Sequence, residues 1–274
     1  MLFRSIEAGG RLEVAGTATL SGNLTVEPGG GLDLAGSATK TFSNLRLNNR
    51  GTVRWLDGLI LVPGVSERSY LTNQGLWQIE CDNDLTSPVA GSHPVFYNTG
   101  LVRKVAGPGM TRLFNVQFVN RSVVEAATGT LELPEGFALV DGVLRPTGGT
   151  LGRADGFQVD GGRIEGNGSI LGAQFHGGIL SPGVFGPGSL RFTDGLHLSQ
   201  EVTVELDVGT FPNGDPLDSL VVSGPVDLGS AALRLTGVDG ADPGQTLLLI
   251  DNDGIDPVAG TFAGLPDRSE EHTS

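Results

Sequence analysis

Residues 12–19 read LEVAGTAT and residues 32–39 read LDLAGSAT. The match extends upstream, where Gly9-Gly10 faces Gly29-Gly30. The differences are mild: Glu13 becomes Asp33, Val14 becomes Leu34 and Thr17 becomes Ser37. A fixed period of about twenty residues decides the architecture before any other signal is read. It is too short for a domain and long enough for one coil of a solenoid.

The period continues after residue 40 under another marker. Asn49-Arg50-Gly51, Asn73-Gln74-Gly75 and Asn98-Thr99-Gly100 share the form N-x-G, and Asn120-Arg121-Ser122 is a degraded fourth copy. Two positions before each Asn stands a large apolar residue: Leu47, Leu71, Phe96 and Phe118. Four positions after it stands another: Val53, Trp77, Val102 and Val124. The next residue is polar in every copy, and the one after that is Trp55, Ile79 or Ala126, with Lys104 the exception. Alternation of period two means strands with one buried face. The glycine suits a turn that needs positive φ. If the coils stack in register, Asn49, Asn73, Asn98 and Asn120 lie above one another, and their amides form an internal ladder. The alternative is that they are ordinary exposed turn residues. Either way the role is structural.

A third stretch, residues 127–195, holds short apolar pairs between glycine turns, as in TGTLELPEG and GGILSPGVFGPGSL. From about 196 the strands lengthen, as in EVTVELDVGTF and DSLVVSGPVDL. Parallel strands with short turns and no helices between them lead to one fold class. It is all-β, a parallel β-helix, right-handed by the general handedness of parallel crossovers, with irregular C-terminal capping strands. The expected organisation is β-helix coils over 1–195, and closing coils or a cap over 196–267, where antiparallel pairing remains open.

Composition narrows the function classes. The net charge of −14 disfavours nucleic acid and anionic lipid as partners. Cys81 is the single cysteine, so no disulfide framework exists. No apolar run approaches the roughly 18 residues of a membrane helix, so no direct membrane insertion is expected of this segment. The N-terminus, MLFRSIEAGGRL, has no signal-peptide core and reads as the middle of a repeat.

The motifs GGTLGR, GNGSILG, GGILSPG and GPGSL, followed by VELDV, DSLVVSGPVDLG and LLLIDNDGIDPVAGTFAGLP, resemble bacterial autotransporter-associated β-strand repeat proteins. The N-x-G segments with VVEAATGTLEL are similar to repeats of adhesin-like bacterial surface proteins. The resemblance covers most of residues 9–266. It implies export, an extracellular or cell-surface location, a β-helical passenger or stalk, and host or matrix glycans or surface proteins as partners. No translocator barrel or sorting anchor stands in these residues. The last residues, RSEEHTS, back-translate to AGATCGGAAGAGCACACGTCT, which is similar to the start of a sequencing adapter. Arg268–Ser274 are therefore expected to be a non-native tail on a fragment of a longer chain.

The rival function is that of a carbohydrate-active β-helix, a polysaccharide lyase or glycosidase. Such catalysis needs carboxylates converging on one coil face. Fragments of that pattern exist in Asp82-Asn83-Asp84, Ser92-His93, Asn98-Thr99 and Arg103-Lys104, but out of order, and Asp82 and Asp84 read as solvated turn residues. His93, His176, His197 and His272 have no metal-ligand spacing to one another or to Cys81. The nucleophile elbow G-x-S-x-G is absent, and Gly166-Asn167-Gly168 opens no helix. No cofactor is expected. One ion candidate stands out: Asp251, Asp253 and Asp256 place carboxylates at near-alternating positions around Gly254, as calcium loops do, although no distant bidentate Glu follows. The competing reading is an Asx-rich turn. An exposed cleft with two or more facing carboxylates would favour the enzyme. Uniform polar faces would favour a stalk or adhesin segment that is not an enzyme.

Overall fold

A computed structural model describes residues 5–63, 68–88, 93–209, 217–237, 246–252 and 256–265. Among them there is no α-helix, and every strand ladder is parallel. The chain is a parallel β-solenoid. The described residues form two compact units. One comprises the residues up to Phe137 together with Asp141–Arg153, and the other comprises Ala138–Val140 and the residues from Ala154 onward. Asp253, His272 and Arg268–Ser274 lie outside the described residues.

In the first unit each coil contributes to three stacks of strands. One stack precedes the marker Asn and includes Tyr70–Asn73, Val95–Asn98 and Gln117–Asn120. The second follows it: Arg11–Val14, Gly31–Leu34, Thr52–Trp55, Leu76–Ile79, Leu101–Lys104, Val123–Ala126 and Val143–Pro146. The third includes Ile60–Leu61, Leu85–Thr86, Met110–Phe114 and Thr130–Glu132. Ala18–Val26 and Lys40–Asn49 run through a corner and serve two stacks at once. That continuous corner is bent by a register shift between Leu20 and Gly22 and by Asn44 at φ 52°. Asparagine is among the few residues that tolerate this left-handed conformation.

The register follows the sequence repeat. Leu12 pairs with Leu32 and Val14 with Leu34, so the two octapeptides of the N-terminal repeat lie one upon the other. Leu47, Leu71, Phe96 and Phe118 align as one column, and Val53, Trp77, Val102 and Val124 as another. All eight side chains are buried. Aromatic contacts join the columns: Trp77 meets Phe96 at 4.8 Å, Phe96 meets Phe118 at 5.2 Å, and Phe118 meets Phe137 at 5.8 Å between ring centroids. Such pairs add roughly 0.5–1.5 kcal/mol each beyond the area they bury.

The glycine of N-x-G works differently from the expected turn. Gly51, Gly75 and Gly100 do not have positive φ. A Cβ on Gly75 would lie 2.2 Å from the carbonyl oxygen of Gly51, and one on Gly100 would lie 2.2 Å from that of Gly75. The glycine is required because adjacent coils approach too closely at this corner for any side chain.

In the second unit the strands Arg163–Gly166, Gly178–Pro182, Val202–Asp207 and Ala232–Thr236 stack in order. A second stack runs Ser169–Phe175, Ser189–Phe192, Ser219–Val222 and Ile250–Asn252. A third runs Leu196–His197, Val226–Asp227 and Val258–Ala259. The ladders after residue 196 are parallel, so this region continues the coils without antiparallel pairing among its described strands.

Candidate functional site

The four marker asparagines form the expected ladder. Asn49 Nδ2 donates to Asn73 Oδ1 at 2.6 Å, Asn73 Nδ2 to Asn98 Oδ1 at 2.8 Å, and Asn98 Nδ2 to Asn120 Oδ1 at 2.7 Å. Each amide also donates sideways to a backbone carbonyl: Asn49 to Leu76, Asn73 to Leu101, Asn98 to Val123 and Asn120 to Ser122. The four side chains are buried, and only Asn49 Oδ1, at one end, is a buried oxygen with no partner. A carboxamide carries two donors and an acceptor on one planar group, so it can pass one hydrogen bond from coil to coil and spend its second donor on a backbone carbonyl, which a hydroxyl or carboxylate cannot do. The ladder is a structural device enclosed by the coils, closed to ligands.

The turn carrying Asp82 and Asp84 does more than the solvated role read from the sequence. Lys104, the apparent exception to the apolar pattern, points inward and is completely buried. Its Nζ donates to Cys81 O at 2.8 Å, Asp82 Oδ1 at 2.7 Å, Ala106 O at 3.0 Å and Thr111 Oγ1 at 3.2 Å. Asp82 also accepts from Gly109 N at 3.0 Å, and the Lys104 ammonium holds its carboxyl below the usual range. Asp84 accepts from both the Nε and Nη2 of Arg112. Lys40 repeats the device nearer the N-terminus. It is buried, its Nζ donates to the carbonyls of Gly36 and Asp57, and burial pushes its pKa down against the opposing pull of Asp57. Burying an ammonium is costly unless it is paired and hydrogen-bonded. Here the long lysine stem fills the corner while its head gathers turn carbonyls that would otherwise be unsatisfied.

The remaining candidates stay apart. His93 Nδ1 lies 3.0 Å from Asn115 O, and His176 Nδ1 lies 3.0 Å from Asp160 Oδ1 on an exposed turn. His197 is exposed on its strand. Cys81 is buried, and burial raises its thiol pKa. Asp251 and Asp256 are both exposed, and Asn252 Nδ2 donates to Asp256 O at 2.7 Å. Among the described residues no group of three His, Cys, Asp or Glu could hold a metal ion.

The outer faces are laced with ion pairs. In the first unit Arg54 reaches Glu80 at 2.9 Å and Asp33 at 3.9 Å, and Arg11 also pairs with Asp33. Arg103 lies 3.2 Å from Glu125. Hydrogen bonding to Arg54 lowers the pKa of Glu80. Charges of both signs share one row, since Asp33, Arg54, Gln78, Arg103, Glu125 and Arg145 are successive register partners, with neutral Gln78 between the two arginines.

The second unit holds a feature that sequence reading missed. A cavity of about 380 Å³ opens on its outer face, lined by Arg163, Glu165, Ser181, Glu205, Asp207 and Arg234 among others. Arg163 bonds Glu165 at 2.9 Å and Glu205 at 2.7 Å, and Arg234 bonds Glu205 at 3.0 Å. The Arg163 hydrogen bond pulls Glu205 below the usual range. Asp218 is buried, and burial raises its pKa, although both its oxygens accept backbone N–H groups, from Gly188 and Asp207, at 2.7 Å. The sequence signal for this cluster is weak. Arg163 and Glu205 stand 42 residues apart, and no motif fixes that distance.

No protein family matches the chain, and no curated protein or solved structure matches it.

Proposed function

We propose that the chain is a non-enzymatic, exported β-helical segment of a larger bacterial surface protein. It acts as a stalk or adhesin-like passenger whose outer faces meet host or matrix glycans or surface proteins. The observation that carries this reading is the use made of the carboxylates. Asp33, Glu80, Asp82, Asp84, Glu125, Glu165 and Glu205 are each paired with an arginine or lysine. For Glu80, Asp82 and Glu205 the paired cation lowers the carboxyl pKa, whereas a general acid must keep its proton near neutral pH. The interior is equally committed to stacking, with an amide ladder and aromatic columns in the first unit.

One observation favours the second reading, a polysaccharide-cleaving β-helix. The cavity over residues 163–236 gathers Glu165, Glu205, Asp207 and Asp218. Burial raises the pKa of Asp218, and its two oxygens are engaged by backbone amides. Glu205 is pulled the other way. The test is cleavage by the purified chain across pectic, alginate and neutral polysaccharides. The stalk reading expects no turnover. Turnover that disappears in Glu205→Gln or Asp207→Asn would replace it with the enzyme.

A further inference from the structure

Phe185 is the one large apolar side chain among the described residues that is fully exposed, at 101% of its reference area. Burying a phenylalanine is favourable, and the fold forgoes that gain here. The ring stands at the edge of the cavity lined by Arg163, Glu165, Ser181, Glu205 and Arg234. Its loop is held firmly. A Cβ on Gly183 would lie 2.0 Å from Gly186 O, so this turn closes tightly on itself. Asp218 fastens the base of the loop by accepting from Gly188 N with one oxygen and from Asp207 N, on the neighbouring strand, with the other. The backbone that carries the ring is therefore anchored at its base.

Ser181, 8% exposed, lines the floor of the cavity. Around it, guanidinium donors alternate with carboxylate acceptors. The volume of about 380 Å³ falls within the usual range of small-ligand sites, about 300–1,000 Å³.

We infer that this cavity is a binding subsite for a neutral pyranose unit of a polysaccharide, with Phe185 as its stacking platform. A pyranose ring has an apolar C–H face, whose hydrogens suit the negative face of an aromatic ring. Its equatorial hydroxyls both donate and accept, as the paired Arg and Glu groups require. Uronates are disfavoured. The cavity sets four carboxylates (Glu165, Glu205, Asp207 and Asp218) against two guanidiniums, Arg163 and Arg234, both already engaged by Glu205. A further anionic charge meets net repulsion.

The inference deepens the adhesin reading and rests on it, but the two fail separately. Binding is measured by calorimetry with the purified chain and pentamers of β-1,4-linked glucose, mannose and xylose, alongside trigalacturonate. At least one neutral pentamer should bind at millimolar concentration or below. Phe185→Ala and Arg234→Ala should each weaken it at least tenfold, with circular dichroism unchanged. Tyr70→Ala, which removes an exposed aromatic from the other unit, should leave it unaltered. Binding by none of the neutral pentamers, binding indifferent to Phe185→Ala, or tighter binding of trigalacturonate would each overturn the inference. Binding accompanied by cleavage would leave the subsite standing and sink the non-enzymatic reading instead.

Discussion

Asn98 sits inside the amide ladder and offers a substitution whose cost can be worked out atom by atom. Its Nδ2 donates to Asn120 Oδ1 and Val123 O, at 2.7 and 3.1 Å, and its Oδ1 accepts from Asn73 Nδ2 at 2.8 Å. Asn98→Ala removes these bonds, together with the one Oδ1 accepts from Gly100 N at 3.3 Å, and leaves a small void in a fully buried site. Orphaned buried groups cost about 1–3 kcal/mol each, so the variant should lose about 3–5 kcal/mol at every pH. Asn98→Asp keeps the shape but sets an oxygen against the oxygens of Asn120 and Val123. The introduced carboxyl must take up a proton to restore the donor. Binding that proton at pH 7 against an unfolded pKa of about 3.9 costs up to about 4 kcal/mol, at about 1.36 kcal/mol per pH unit. The sign follows from linkage. The folded pKa is raised, so the penalty is fully present above it and shrinks as pH falls toward 4. The assay is urea unfolding of variant and parent at matched pH values, followed by tryptophan fluorescence. Trp55 and Trp77 are the two tryptophans of the chain, and Trp77 packs on Phe96 beside the ladder. A pH-independent cost for Asn98→Asp, or a cost below about 0.5 kcal/mol for Asn98→Ala, would refute the reasoning.

Three further outcomes follow from the same geometry. Phe96→Ala, which empties a fully buried site between Trp77 and Phe118, should cost about 3–5 kcal/mol in the same unfolding assay. Asp82→Asn should cost about 1–2 kcal/mol, because the buried Lys104 ammonium loses its counter-ion while the 35% exposure of the Asp82 side chain screens part of the pair. Because the Asp82 pKa is lowered in the fold, that contribution should be present at neutral pH and disappear as pH falls below the ordinary carboxylate range. Gly75→Ala should lower the melting temperature measurably although φ there is not positive, since the added methyl meets Gly51 O; an unchanged melting temperature would show that the corner relaxes freely.

The repeat was legible because a solenoid forces successive coils into register. Leu12 above Leu32 and Asn73 above Asn98 are the same fact in sequence and in space. The inward columns were legible for the same reason, through alternation around each marker Asn. Lys104 stands out as an exception in the sequence because hydropathy records its charge and ignores the stem, which fills the corner while Nζ reaches the carbonyls of Cys81 and Ala106. Asp82 reads as a solvated turn residue because nothing in the sequence shows that the Lys104 ammonium lies 2.7 Å from it. The N-x-G glycines were assigned to positive φ because the sequence does not contain the distance between coils. The cavity of the second unit could not be found by motif. Arg163, Glu205 and Arg234 come from three different strands at unequal separations, and only stacking brings them together.

The central claim is that the first unit is locked from within by its buried amide ladder. Hydrogen exchange of side-chain carboxamides, followed by NMR after transfer to deuterated water, tests it most directly. Asn73 and Asn98 are buried and doubly engaged, whereas Asn23 is exposed. The Asn73 and Asn98 amide protons should persist as long as the slowest backbone amides of Tyr70–Asn73 and Val95–Asn98, while those of Asn23 vanish at once. Exchange of Asn73 and Asn98 at the rate of Asn23 would contradict the ladder and the account built on it.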